Sequence, residues 1–134
     1  AGGFRYPSRL MFTLQIQSVF SATHAIMIAG QPEPVHGHDW HVRLRVSGPE
    51  LDQDGLLCDF HVLESSLRDV LAPLHHVDLN TTPPFDQVNP TAEHVAAHIG
   101  QLLAPLMPES VHHIEVIVTE APGCEASFCM AMKA

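Results

Sequence analysis

The chain reads as an α+β protein: a four-stranded antiparallel sheet with two helices packed on one face, in the order ββααββ. Three observations carry this reading. Two long stretches near the start alternate apolar and polar residues with the period of a half-buried strand. Two stretches in the middle switch to helical spacing, and two alternating stretches close the sequence.

In the first stretch Phe12, Leu14 and Ile16 alternate with Thr13, Gln15 and Gln17, a strand continuing towards His24. Residues 25–35, with Gly30, Pro32 and Pro34, read as a loop. Alternation resumes from His38, with Trp40, Val42, Leu44 and Val46 on one face and Arg43 and Arg45 on the other, until Gly48-Pro49 ends it. These strands form a long hairpin-like pair with a wide connection. The first helix carries Leu63, Leu67, Val70, Leu71 and Leu74 on its apolar face, with Asp59 as N-cap and Pro73 as stop. Residues 80–88 connect to a second helix. That helix starts near Asn89-Pro90-Thr91, a cap residue followed by proline in the first turn, and runs through Val95, Ile99, Leu102 and Leu103 to about Leu106. Residues 113–119 alternate through Ile114, Val116 and Val118, and residues 127–132 supply a last strand after a turn at Gly123. A sheet of this kind leaves exposed edges, which oligomerisation would pair.

At 134 residues the chain suits one domain with a substantial core, assigned to residues 11–134. Residues 1–10 lack the apolar run of a secretory signal and read as an N-terminal extension or expression remnant, with Met11 as a natural start. No stretch approaches the length of a membrane span. Cys58, Cys124 and Cys129 are odd in number and form no CxxC, which speaks against a disulfide framework and points to a reducing cytoplasm. The formal charge of −9, with only six Lys and Arg, excludes a nucleic-acid footprint. A small anionic substrate stays compatible, because a metal and a few local cations can dominate the field inside one cleft.

Chemistry concentrates on His24, His36 and His38. In an extended strand, residues two apart share a face, so His36 and His38 can aim both imidazoles at one ion while Gly37 leaves room on the other face. Three neutral imidazoles leave a fourth tetrahedral position for water or substrate, the hallmark of a catalytic rather than a closed structural zinc. With 11 histidines in the chain, ordinary surface groups are also expected.

These motifs carry a family resemblance. Phe20-Ser21-Ala22-Thr23-His24 resembles the F-x-A-x-H signature, and His36-Gly37-His38 the HGH signature, of the 6-pyruvoyl-tetrahydropterin synthase family, which includes the 6-carboxytetrahydropterin synthases of queuosine synthesis. Leu74-His75-His76-Val77-Asp78-Leu79-Asn80 resembles its L-D-H-x-x-L-N segment; Asn89-Pro90-Thr91-Ala92-Glu93 and Val118-Thr119-Glu120 resemble its helix start and pterin-anchor segment. The likeness runs from Met11 onward. It implies a tunnelling fold, association into trimers or hexamers, and a dihydropterin triphosphate as substrate. It also implies zinc on His24, His36 and His38, and a substrate contact set of Glu120 and Thr91, with Glu120 gripping the pterin ring. A carboxylate suits that task by accepting paired bonds from the ring's amino and N–H groups.

Two positions depart from the pattern. The cysteine base of pyruvoyl- and carboxy-forming members falls at Pro32, which has no titratable atom. Glu33 stands beside it, and Glu33-Pro34-Val35-His36-Gly37-His38 resembles the E-x-x-H-G-H of the type III subgroup. In that subgroup a glutamate replaces the cysteine and the product is 6-hydroxymethyl-7,8-dihydropterin, a folate precursor. The resemblance thus implies a zinc-dependent lyase with Glu33 as base, acting on 7,8-dihydroneopterin triphosphate. The family's catalytic histidine matches His76, but the aspartate that orients it falls at His75; Asp78 is near enough in sequence to take that part. Three other readings remain open: the carboxy or pyruvoyl reaction with a displaced base, a non-catalytic pterin- or metal-binding homologue, and a cupin-like metal barrel. The last is disfavoured by the two helices.

Overall fold

A computed structural model of the chain describes residues 5–7 and 10–132. Strand β1 (Phe12–His24) and strand β4 (His36–Gly48) pair antiparallel over their full lengths, from Phe12 opposite Gly48 to His24 opposite His36. Strand β6 (His113–Ala121) adds to β4, and β7 (Cys124–Ala131) adds to β6 through a turn at Gly123, where φ is +81°. The expected four strands are therefore present. The sheet has a fifth: β5 (Val77–Asp78) lies parallel against Ala22 and Thr23, giving the order β5-β1-β4-β6-β7 and making the sheet mixed. The extra strand follows from one backbone detail. His76 adopts φ +60° and donates its N–H to the Ser21 carbonyl at 2.6 Å, which draws the next two residues onto the edge of β1.

The segment read as a loop, 25–35, contains a small hairpin of β2 (Met27–Ile28) and β3 (Gln31–Pro32). Ala29 and Gly30 both have positive φ, 51° and 77°, the signature of a tight two-residue hairpin turn. Proline is tolerated in β3 because the ribbon has only two strands and needs no second ladder.

Helix α1 (Phe60–Leu71) buries Leu63, Leu67, Val70 and Leu71, and the Asp59 side chain caps it by accepting from the His61 N–H. Pro73 lies in a single 3-10 turn that ends it. Helix α2 (Ala92–Leu103) starts two residues later than expected. Thr91, not Asn89, is its cap, accepting from the His94 N–H at 3.1 Å, and a 3-10 turn over Ala104–Leu106 completes it. Asn89 does not cap because its side-chain amide is engaged at Met27. Both helices cover one sheet face. There the core joins Phe20, Trp40, Val42, Leu44, Val46, Ile114, Val116 and Val118 to the helix residues. Gly100 lets α2 approach closely, since a Cβ there would lie 2.5 Å from the Phe128 ring. Most of the expected 1–10 extension, residues 1–4 and 8–9, lies outside the described residues; Tyr6 packs edge-on against Phe12.

Candidate metal centre

Strand alternation places the site. Phe20, Ala22 and His24 on β1, and His36, His38 and Trp40 on β4, all point to the helix-covered face, where the core runs out at one end of the hairpin. Trp40, fully buried, forms the floor: its ring stands edge-on to His24 at 4.8 Å and to His38 at 5.8 Å, and its indole N–H donates to the Ala22 carbonyl. The three imidazoles converge, with ring centroids 4.5–5.2 Å apart.

Glu120 joins them. On β6 it continues the inward series Ile114, Val116, Val118, and the pairing with β7 shifts register between Thr119 and Ala121. Its Oε1 lies 2.7 Å from His24 Nε2 and 3.5 Å from His38 Nε2. One donor atom from each of His24, His36, His38 and Glu120 falls within 4.8 Å of the others, so these four side chains could hold a metal ion.

The hydrogen bonds favour a cation at this point. His24 Nδ1 lies 2.9 Å from the Pro90 carbonyl and His36 Nδ1 lies 2.9 Å from the Pro34 carbonyl. A carbonyl only accepts, so both Nδ1 atoms carry a proton, and in the neutral rings both Nε2 atoms present lone pairs. Those two Nε2 atoms face each other at 3.1 Å, with the Glu120 carboxylate beside them. The buried His38 Nε2 has no hydrogen-bond partner among the described residues. Several lone pairs aimed at one point repel unless a positive charge lies between them. Burial pushes the His38 imidazole below its ordinary range, Glu120 opposes this, the His36 and His24 rings add to it, and Glu33 opposes it weakly. A neutral imidazole is the metal-binding form.

Glu33 stands at the rim, its Oε1 3.6 Å from His36 Nε2 and held by the Ile26 N–H at 3.2 Å. Pro32 and Glu33 sit in and just after β3, and the Glu33 N–H also bonds to the Ile26 carbonyl. Two asparagines fix this segment from across the fold. The Asn80 side chain accepts from the Ala25 N–H and donates to the Ala25 carbonyl, both at 2.8 Å, and Asn89 does the same at Met27, both at 2.9 Å. Each amide imitates a neighbouring strand. Asn80 lay within a matched motif, but sequence gave no sign of this pairing.

A cleft of about 620 Å³ opens beside His38, lined also by Ser21, Asp39, His76 and Asp78 among others. His76 and Asp78 thus share one cavity wall with a metal-ligand candidate. His75, at the position of the expected aspartate, is turned away from that duty: its Nδ1 accepts from the Ser21 N–H at 3.1 Å, and its ring stacks on His76 with centroids 3.6 Å apart. Since a backbone N–H only donates, His75 is held with Nδ1 unprotonated. Asp78 accepts from the Asn80 N–H at 3.0 Å. Asp39, which the sequence reading passed over, accepts from Ser21 Oγ at 2.5 Å. Its alternation onto the face opposite His38 and Trp40 was the available signal. Thr91 is occupied as the α2 cap.

A family model described as 6-pyruvoyl tetrahydropterin synthase matches residues 13–130. The chain is similar to 6-carboxy-5,6,7,8-tetrahydropterin synthase of Bacillus subtilis, with 32% identity over 128 residues, covering 89% of this chain and 84% of that protein. Among solved structures, 6-pyruvoyl tetrahydropterin synthase of Caenorhabditis elegans superposes with a TM-score of 0.78 at 20% identity, covering 96% of this chain and 100% of that one. The Plasmodium vivax 6-pyruvoyltetrahydropterin synthase, in a form whose catalytic glutamate is replaced by alanine, gives a TM-score of 0.75 at 22% identity, covering 92% and 99%.

Proposed function

Because the chain belongs to the 6-pyruvoyl tetrahydropterin synthase family, we propose that it is a zinc-dependent lyase converting 7,8-dihydroneopterin triphosphate to 6-hydroxymethyl-7,8-dihydropterin. The observation that carries the choice of reaction is Glu33: its carboxylate stands 3.6 Å from His36 Nε2, while position 32 is a proline with no proton to move. A family member from Plasmodium vivax, in which the catalytic residue is a glutamate, supports the same role.

His24, His36 and His38 would hold the ion, whose Lewis acidity would make the substrate's side-chain hydroxyls easier to deprotonate. Glu33 takes the 2′-hydroxyl proton as general base. The C1′–C2′ bond then breaks in a retro-aldol sense. C2′ leaves as an aldehyde bearing the triphosphate, and the bonding pair enters the C6=N5 unit of the pterin. His76, stacked on His75, returns a proton to the pterin product, with Asp78 lining the same cleft. Glu120 grips the pterin's amino and ring N–H groups, with Thr91 near the helix start as a further contact. The ring is its own electron sink, so no organic cofactor is needed.

No helix among the described residues is long and apolar enough to cross a membrane. We place the enzyme in the cytoplasm as a homo-oligomer, a trimer or hexamer, pairing the free edge of β7.

A second reading has its own support. The similar Bacillus subtilis protein is named for the 6-carboxy product, which favours that reaction run with Glu33 in place of the usual base. Incubating the zinc-loaded protein with 7,8-dihydroneopterin triphosphate and identifying the pterin by chromatography separates the two. The expected product is 6-hydroxymethyl-7,8-dihydropterin, and Glu33→Gln should lower its formation by at least ~10²-fold while sparing zinc. A fully active Glu33→Gln protein removes the base assignment. Zinc and pterin binding without any product would identify a non-catalytic homologue.

A further inference from the structure

We infer that Asn80 and Asn89 are positioning residues for Glu33, acting on its carboxylate through the peptide groups of Ile26. The inference rests on the reading of Glu33 as general base and extends it by naming what holds that base in place. Three consecutive residues divide their backbone groups between two sides, as a strand does. Ala25 and Met27 give both N–H and carbonyl to the Asn80 and Asn89 amides, at 2.8 Å and 2.9 Å respectively. Ile26, between them, gives both of its groups to Glu33. Its N–H donates to Oε1 at 3.2 Å, and its carbonyl accepts the Glu33 N–H at 3.0 Å. The two asparagines therefore grip one side of this segment, and Glu33 hangs from the other.

Little else fixes the base. Among the described residues the Ile26 N–H is the one hydrogen-bond donor on the Glu33 carboxylate. The hairpin of β2 and β3 that leads to it exposes Met27, Ile28, Gln31 and Pro32, so no buried side chain on these strands anchors it. A two-stranded ribbon of that kind is marginal by itself. The asparagines, by contrast, stand on the core. Asn80 follows fully buried Leu79, and its own N–H is held by Asp78 at 3.0 Å. Asn89 precedes buried Pro90, and its carbonyl accepts from the Thr91 N–H at 2.8 Å. They reach the hairpin from 55 and 62 residues away in sequence, so they are separate anchors.

Proton abstraction is sensitive to position: a displacement of about 1 Å can cost up to about 10²-fold in rate. Loss of either amide lets the Ile26 peptide shift and takes Glu33 with it. Glu120, proposed to grip the ring, is carried by β6 and shares no hydrogen bond with this clamp among the described residues. Removing an asparagine should thus act on kcat and leave KM alone.

The test compares Asn80→Ala and Asn89→Ala with wild type in the zinc-loaded protein turning over 7,8-dihydroneopterin triphosphate, well below their unfolding midpoints. Each should lower kcat by about tenfold with KM within about twofold. Gly100→Ala, which strains the α2–β7 contact instead, controls for lost stability and should keep the wild-type kcat. In a Glu33→Gln background the same asparagine changes should lower kcat by less than about twofold further, because the group they position is gone. Wild-type kcat in either asparagine variant, a rise in KM at constant kcat, a matching loss in Gly100→Ala, or equal losses in the two backgrounds would each overturn the inference and leave the base reading standing. A fully active Glu33→Gln protein, or a wild type that forms no product, would overturn both. If Glu33→Gln forms no measurable product, the kcat-against-KM split of the single variants decides. If one alanine variant fails to fold, the other decides; if both fail, Ile26→Pro, which removes the N–H on the Glu33 carboxylate, decides by the same readouts.

Discussion

Replacing Asn80 by alanine removes the amide that makes two hydrogen bonds to Ala25, both 2.8 Å long. A net hydrogen bond is worth about 1 kcal/mol, and a half-buried partner left without its mate adds to the loss. Ala25 is only partly covered, so water recovers some of this, and the expected destabilisation is about 2 kcal/mol. With about 2.1 cal/mol/K of unfolding entropy per residue, 134 residues give about 0.28 kcal/mol/K. The midpoint of thermal unfolding, followed by circular dichroism, should therefore fall by about 7 °C. Asn80→Asp is the sharper variant. It keeps the volume and the acceptor facing the Ala25 N–H but sets a carboxylate oxygen against the Ala25 carbonyl, so it should be at least as damaging as alanine. An Asn80→Asp protein within 1 °C of wild type would refute the claim that this amide acts as a surrogate strand.

Gly100→Ala puts a methyl 2.5 Å from the Phe128 ring, and the overpacking should outweigh the gain in helix propensity, lowering stability by about 1–2 kcal/mol in urea titration. A more stable variant would show that the α2–β7 contact is looser than described. His98 on α2, packed on Phe85, has its imidazole pushed below the ordinary value by burial. The unfolded chain then takes up a proton that the folded chain declines, so this contribution is full above about pH 6.5 and is lost as pH falls below it. His98→Gln should flatten the acid side of the stability profile below about pH 6.5, measured by denaturant midpoint at each pH. An unchanged slope would assign that acid sensitivity to other groups.

What could be read from the sequence was set by period. A strand repeats every two residues, so Phe20, Ala22 and His24 had to share a face, and His36, His38 and Trp40 likewise; register then only had to bring the two rows together. The Asp59 cap and the Leu63–Leu67–Leu71 spacing of α1 are equally local. What stayed hidden depends on partners distant in sequence. Strand β5 is two residues long and exists because His76 bonds to Ser21. Asn89 looked like a cap because its neighbours are Pro90 and Thr91, yet its amide belongs to Met27. Glu120 was legible as a pterin contact by resemblance, but its approach to His24 needed the register between β4 and β6.

The bond between His24 and the Pro90 carbonyl spans 66 residues of chain. A hairpin of β1 and β4 formed early in folding would carry the histidines but lack the group that sets the His24 tautomer. That group arrives only when the segment ahead of α2 docks, a long-range closure of the kind that comes slowly. Metal capture should thus follow assembly of the sheet and helices, and the ion would act as a latch on a finished fold. In this the chain would differ from small metallo-domains, whose ion organises the polypeptide in the first place.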